Sequence, residues 1–151
     1  MNDSQHALIY DVNRSIMRLR MAYEGWCRSR GITYVQMLVL YTLRDEPRCT
    51  QKFISEHYLL PKQTVHNTVL RMAEAGLVRL ESGDGREKHI VLTDQGKTWA
   101  ESLTEELTAI ETEVLECAGE QQVAQMNALF MYYDDLLEDA FGRCDDVQCR
   151  S

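Results

Sequence analysis

Thr50-Gln51-Lys52-Phe53-Ile54-Ser55-Glu56-His57, a break at Leu59-Leu60, and then Pro61-Lys62-Gln63-Thr64-Val65-His66-Asn67-Thr68-Val69-Leu70-Arg71-Met72 form the stretch that decides the fold. It reads as two short helices joined by a tight turn. Proline suits the first helical position, where its missing N–H costs nothing and its fixed φ matches the helix. That places the second start at Pro61. Val65, Thr68, Val69 and Met72 share one face at helical spacing. Lys62, Gln63, His66, Asn67 and Arg71 fall on the other sides. Such a face either stands in water or hydrogen-bonds base edges and phosphates in a major groove. Gly76 stands where a C′ residue closes a helix.

The next residues favour the DNA reading. Val78 and Leu80 alternate with Arg79 and Glu81, and Ile90 and Leu92 alternate with His89 and Val91. A period near two predicts strands. Gly83-Asp84-Gly85 supplies the permissive backbone of a hairpin turn. Arg86 follows the turn, where a guanidinium can enter a narrow minor groove, and Asp84 is placed to orient it. Two short helices followed at once by a basic hairpin make a winged helix-turn-helix.

Upstream, Thr33 and Gln36 have the spacing of a capping box that opens a helix through Leu43. With these residues the chain resembles the MarR family of bacterial winged-helix transcription regulators. Ile32-Thr33-x-x-Gln36 with Leu40 and Leu43 resembles the family's second helix. Pro61-Lys62-Gln63-Thr64-Val65 resembles the start of its recognition helix. Asp84-x-Arg86, then Leu92-Thr93-x-x-Gly96, is similar to its wing and the start of the following helix. The wing departs from the usual pattern in being short and carrying Gly-Asp-Gly. The resemblance runs from about Ser4 to Phe141 and implies a mainly α fold with a small β-hairpin wing (α+β). Within a single 1–151 domain, it predicts a winged part over 33–96. Helical dimerisation parts are expected over 4–30 and 97–141, and a flexible tail over 142–151.

A chain of 151 residues with 44% apolar and 26% charged residues can bury a full core. No apolar run is long enough to span a bilayer, and no signal peptide pattern opens the chain, so the expected location is cytoplasmic. The net charge of -8 is unevenly spread. From Arg44 to Leu92 eight Lys/Arg stand against seven Asp/Glu, whereas 98–142 holds eleven acids and no base. Duplex DNA needs a local basic face, not a basic protein. Thr50 and Gln51 are placed to set the start of their helix on a phosphate.

Three long stretches flank the winged part. Leu8, Val12, Ile16, Leu19, Tyr23 and Trp26 recur at steps of four and three. Trp99, Leu103, Leu107, Ile110 and Val114 do the same, as do Val123, Met126, Phe130, Tyr133, Leu137 and Phe141. So much apolar helix face exceeds what a small winged domain covers. A second copy would bury the excess, and an intramolecular bundle is the alternative. The family resemblance implies a homodimer, and a twofold predicts half-sites about one helical turn apart. Tyr10, Arg14, Met17 and Met21 form a second row on the first helix, opposite its main stripe. Methionines adapt to irregular ligands, and an arginine among them holds a carboxylate or phenolate. Met37 and Tyr41 would supply a facing wall. The resemblance implies effector pockets at this junction, often for small aromatic or phenolic anions; ordinary core packing is the alternative.

Cys27, Cys49 and Cys117 lie at helical or helix-start positions, where a free cysteine is a small apolar residue. Cys144 and Cys149 are too loosely spaced for a zinc site. No cofactor or metal is expected, and thiol-based redox sensing is the alternative mode of regulation. An enzyme is disfavoured: the sequence holds no Gly-rich phosphate loop, no His-Glu-x-x-His and no G-x-S-x-G. A protein-interaction module that has lost DNA binding is the other rival.

Overall fold

The structure, a computed structural model, describes residues 2–83 and 87–148, with side chains through Arg143. Among the described residues, six helices and three strands follow in order. They are α1 (Asp3–Ser29), α2 (Tyr34–Asp45), β1 (Cys49–Thr50), α3 (Gln51–His57), α4 (Lys62–Glu74), β2 (Val78–Ser82), β3 (Lys88–Leu92), α5 (Asp94–Ala118) and α6 (Glu120–Gln148). The chain divides into two compact units, 1–104 and 105–151. The mainly α winged helix-turn-helix fold expected from the sequence is the fold observed.

In the first unit, side chains make most of the boundaries. Thr33 caps α2: its Oγ1 accepts from Gln36 N–H at 3.2 Å, and Gln36 Oε1 accepts from Thr33 N–H at 2.8 Å. The predicted capping box is formed. Thr50 caps α3, its Oγ1 accepting from Phe53 N–H at 3.1 Å. Pro61 is the N-cap of α4, one position earlier than its sequence suggested. Its extended ψ of 131° keeps it outside the helix, while its carbonyl accepts from Thr64 and Val65. Gly76, at φ 72°, closes α4 as predicted. There Leu77 N–H donates to Met72 O and Gly76 N–H to Ala73 O.

The end of α3 makes the same closure without a glycine. Leu60 N–H donates to Ser55 O at 2.9 Å, which puts Leu59 at the C′ position with φ 52°. A left-handed conformation costs a residue with a Cβ about 1–2 kcal/mol, and Leu59 is 88% exposed, so its side chain recovers little of that within the chain. Leu59→Gly is therefore expected to raise unfolding stability by about 1 kcal/mol in urea. An unchanged or lower midpoint would show that the side chain has a stabilising contact.

The core of this unit is formed by Val39 and Leu40 of α2, Ile54 of α3, Val65, Val69 and Met72 of α4, and Ile90 of β3, all at most 1% exposed. Burying each such side chain stabilises by about 2 kcal/mol. Cys27 near the end of α1 joins them. There Tyr23 meets the Tyr34 ring edge-on at 6.3 Å, with the Arg20 guanidinium 5.5 Å from the Tyr34 centroid. The predicted hairpin is β2 and β3, antiparallel, with Leu80 opposite Ile90 and Val78 opposite Leu92. The sheet has a third strand that the sequence reading lacked. β1 pairs with β3, Cys49 opposite Ile90, giving the order β1-β3-β2. Two residues are too few to show a period.

In the second unit, Gly119 at φ 87° separates the helical segments, and α6 is half-buried at Val123, Tyr133 and Leu137. Helix α6 continues through Gly142 to Gln148, so a tail placed from 142 begins too early. One glycine weakens a helix by only about 1 kcal/mol, and no proline intervenes.

Candidate nucleic-acid interface

Helix α4 buries Val65, Val69 and Met72 completely, which turns its opposite side to solvent. Lys62, Gln63, Thr64, His66, Asn67 and Arg71 are all exposed there. Two contacts order this surface. Gln63 Nε2 donates to Asn67 Oδ1 at 2.9 Å, one turn apart. His66 Nδ1 lies 3.1 Å from Gln51 Oε1, linking the middle of α4 to the first residue of α3. The amides and imidazole are thus held in place before any nucleic acid arrives, which lowers the ordering cost of binding. Thr50, half-buried, uses its oxygen to cap α3.

Leu70 has the type of a core residue but lies 39% exposed, in sequence between the exposed Asn67 and Arg71. An aliphatic group on such a face can meet a thymine methyl. The fully buried Val65, Val69 and Met72 are what would have pointed to it, since a leucine one residue off that stripe has no core to enter.

The strands form the root of the hairpin. Arg79 Nε donates to Glu81 Oε1 at 2.9 Å, and Arg79 Nη1 reaches Leu92 O at 3.3 Å. Arg48, just before β1, lies 3.7 Å from the other Glu81 oxygen. Lys88 is exposed at the start of β3. Asp84 and Arg86, assigned to the wing tip from the sequence, lie outside the described residues.

A family model described as the MarR family matches residues 30–87. The HTH-type transcriptional regulator YwoH of Bacillus subtilis is 28% identical over 127 residues, spanning 83% of this chain and 93% of the relative. The MarR family regulator NMB1585 of Neisseria meningitidis superposes with a TM-score of 0.82 at 27% identity, over 95% of this chain and 99% of that one. The chain is thus similar to MarR family transcriptional regulators, in sequence over 30–87 and in fold over nearly its whole length. Reduced AbfR bound to DNA is also similar, with a TM-score of 0.73 and 26% identity over 91% and 99% of the two chains.

The residues assigned to an effector from the sequence do not share one environment. Tyr10, Arg14, Met17 and Met21 are exposed on α1, whereas Met37 is buried in α2. Tyr41 is half-buried, with the Arg44 guanidinium 4.2 Å from its ring centroid. Arg44 also donates to both Asp45 oxygens, and the guanidinium holds that carboxyl below its usual range.

The described thiols differ in access. Cys27 and Cys49 are buried, and Cys117 is exposed. Burial pushes the Cys49 thiol up to about 11, with the nearby Glu46 carboxylate adding to it. Cys27 is raised chiefly by burial as well. Neutral buried thiols react slowly, because the thiolate is the nucleophile. Among the described residues no group of three or more His, Cys, Asp or Glu is placed to hold a metal ion, and no helix is long and apolar enough to cross a membrane.

Proposed function

We propose that this chain is a homodimeric repressor that binds a pseudo-palindromic operator in double-stranded DNA and leaves it when a small aromatic or phenolic ligand binds. The observation that carries the reading is the outward polar face of α4, ordered by the Gln63–Asn67 and His66–Gln51 contacts. Lys62, Gln63, Thr64, His66, Asn67 and Arg71 work in or beside the major groove, Thr50 and Gln51 set α3 on the backbone, and Arg86 enters the minor groove with Asp84 orienting it. The DNA-bound structure of the similar protein AbfR supports DNA as the partner.

The dimer reading rests on apolar surface that each chain leaves open. Leu8, Ile16 and Leu19 of α1 are exposed, as are Met126, Leu129, Tyr132 and Phe141 of α6. Exposed apolar rows of this kind mark an interface, and a second copy would cover each of them, with 4–30 and 97–141 as the pairing parts. Two copies place two α4 helices about one helical turn of DNA apart. Tyr10, Arg14, Met17 and Met21, with Met37 and Tyr41, would line the effector site, which is completed only when α1 is covered. Thiol sensing is the weaker reading: Cys27 and Cys49 are buried with raised thiols.

The test is sedimentation of the full chain, followed by its binding to duplex DNA flanking its own coding region across a salt series. The expected result is a dimer with specific binding that weakens steeply with salt. A monomer, or no preference over random duplex at low salt, overturns the reading and favours a protein-interaction module.

A further inference from the structure

We propose that a second anion site, separate from the α1 row, lies at the root of the wing and takes a small monocarboxylate with an apolar body. The cavity there is about 360 Å³ and lies wholly within the first unit, between the end of α2, the turn into β1, the end of β3 and the first turns of α5. Its apolar lining is Leu43, Pro47, Val91, Leu92 and Ala100, three of them buried. Three cations, Arg44, Arg48 and Lys97, line it with one carboxylate, Glu101.

The three cations are not equally engaged. Arg44 is held tightly by Asp45, with a 2.8 Å contact. Arg48 reaches Glu81 only at 3.7 Å, while Arg79 holds the same carboxylate at 2.9 Å. Lys97 reaches Asp94 at 3.9 Å. Both side chains are more than half exposed, at 56% and 58%. A ligand carboxylate replaces these long contacts with charge-assisted hydrogen bonds of about 2.8 Å. The apolar lining selects for a hydrocarbon or aromatic body. Glu101 repels a second negative charge, which favours a monocarboxylate over a phosphate or a dicarboxylate.

The site also has a route to the wing. Arg48 is tied to β2 through Glu81, and a ligand that draws Arg48 away leaves Glu81 to Arg79 alone. An effect on operator binding rests on the DNA reading above, whereas ligand binding itself does not.

The experiment is therefore done on the full chain without DNA. Benzoate and phenylacetate are titrated into it and followed by amide NMR shifts, with benzamide as the uncharged control. Saturable binding at about millimolar concentration or tighter is expected, with shifts at Leu92, Ala100 and Thr104. Arg48→Gln combined with Lys97→Gln weakens it at least about tenfold. Both substitutions are at exposed positions, and the amide spectrum reports that the fold is kept. Three results overturn the proposal. They are no saturation by either acid at about 10 mM, equal binding of benzamide, or wild-type affinity in the double variant. If that variant binds as wild type while Arg14→Ala binds weakly, the carboxylate belongs to the α1 row.

Discussion

Gly96→Ala is expected to cost about 3 kcal/mol of folding stability, at the upper end of overpacking, and to lower the melting temperature by roughly 10 °C. Gly96 is buried in the first turn of α5, where its N–H donates to Thr93 Oγ1 at 3.0 Å. A Cβ at this position would fall inside the carbonyl of Leu77, in the connection between α4 and β2. Its closest neighbours are backbone atoms, so no side chain can turn aside to make room. That carbonyl cannot retreat cheaply either, because it accepts from Thr93 N–H at 3.1 Å and from the Thr93 hydroxyl at 3.3 Å. The hydroxyl also donates to Gly76 O at 2.6 Å. The start of α5, the end of α4 and the start of the wing are thus fastened at one point, and displacing it also tilts α4 against the hairpin. Gly25→Ala supplies the control. Gly25 lies inside α1, and nothing stands within 4 Å of a Cβ added there. The same substitution is expected to stabilise the chain by roughly 0.5–1 kcal/mol. Urea and thermal melts of the two variants decide it: a loss below about 1 kcal/mol for Gly96→Ala would show that the backbone yields.

Features that depend on local periodicity were legible in the sequence. The buried stripe of α4, the Thr33–Gln36 cap, the Gly76 closure and the alternation of β2 and β3 follow from side-chain spacing and backbone freedom within a few residues. What escaped depends on long-range pairing or on a residue acting against its type. Strand β1 exists because Cys49 and Thr50 meet Ile90 and His89, some forty positions away. Leu59 occupies a position where a glycine is the usual signal. The Gln51–His66 contact joins residues fifteen positions apart, and the Arg48 approach to Glu81 spans a central strand. The polar face of α4 was therefore visible as a set of residues, but the bonds that order it were not. The two-sided apolar pattern of α1 was also legible, yet a single chain leaves most of it exposed.

If α4 reads the operator, Gln63→Ala and Asn67→Ala are each expected to weaken specific binding by about 1–3 kcal/mol, roughly ten- to a hundredfold, and to relax base preference. Both amides are exposed, so neither substitution touches the core. Their mutual 2.9 Å hydrogen bond makes them one unit. Removing either frees the other from its orientation, so the double variant should lose less than the sum of the single losses. Lys62→Ala should behave differently. Its ammonium at the first turn of α4 meets phosphates, so specific and random duplex weaken alike, and the slope of log affinity against log salt falls by about one. Gln51→Ala separates positioning from contact: it removes the partner of His66 Nδ1 without altering α4 itself. A smaller loss than that of His66→Ala is expected, because the imidazole then reaches its base or phosphate from a less ordered start. Competition titrations with operator and random duplex at several salt concentrations measure all of these terms. If Gln63→Ala and Asn67→Ala weaken both duplexes equally, the amides touch only backbone and the sequence is read elsewhere. If neither duplex is affected, α4 does not face DNA at all, and its ordered polar side has to be explained by a protein partner.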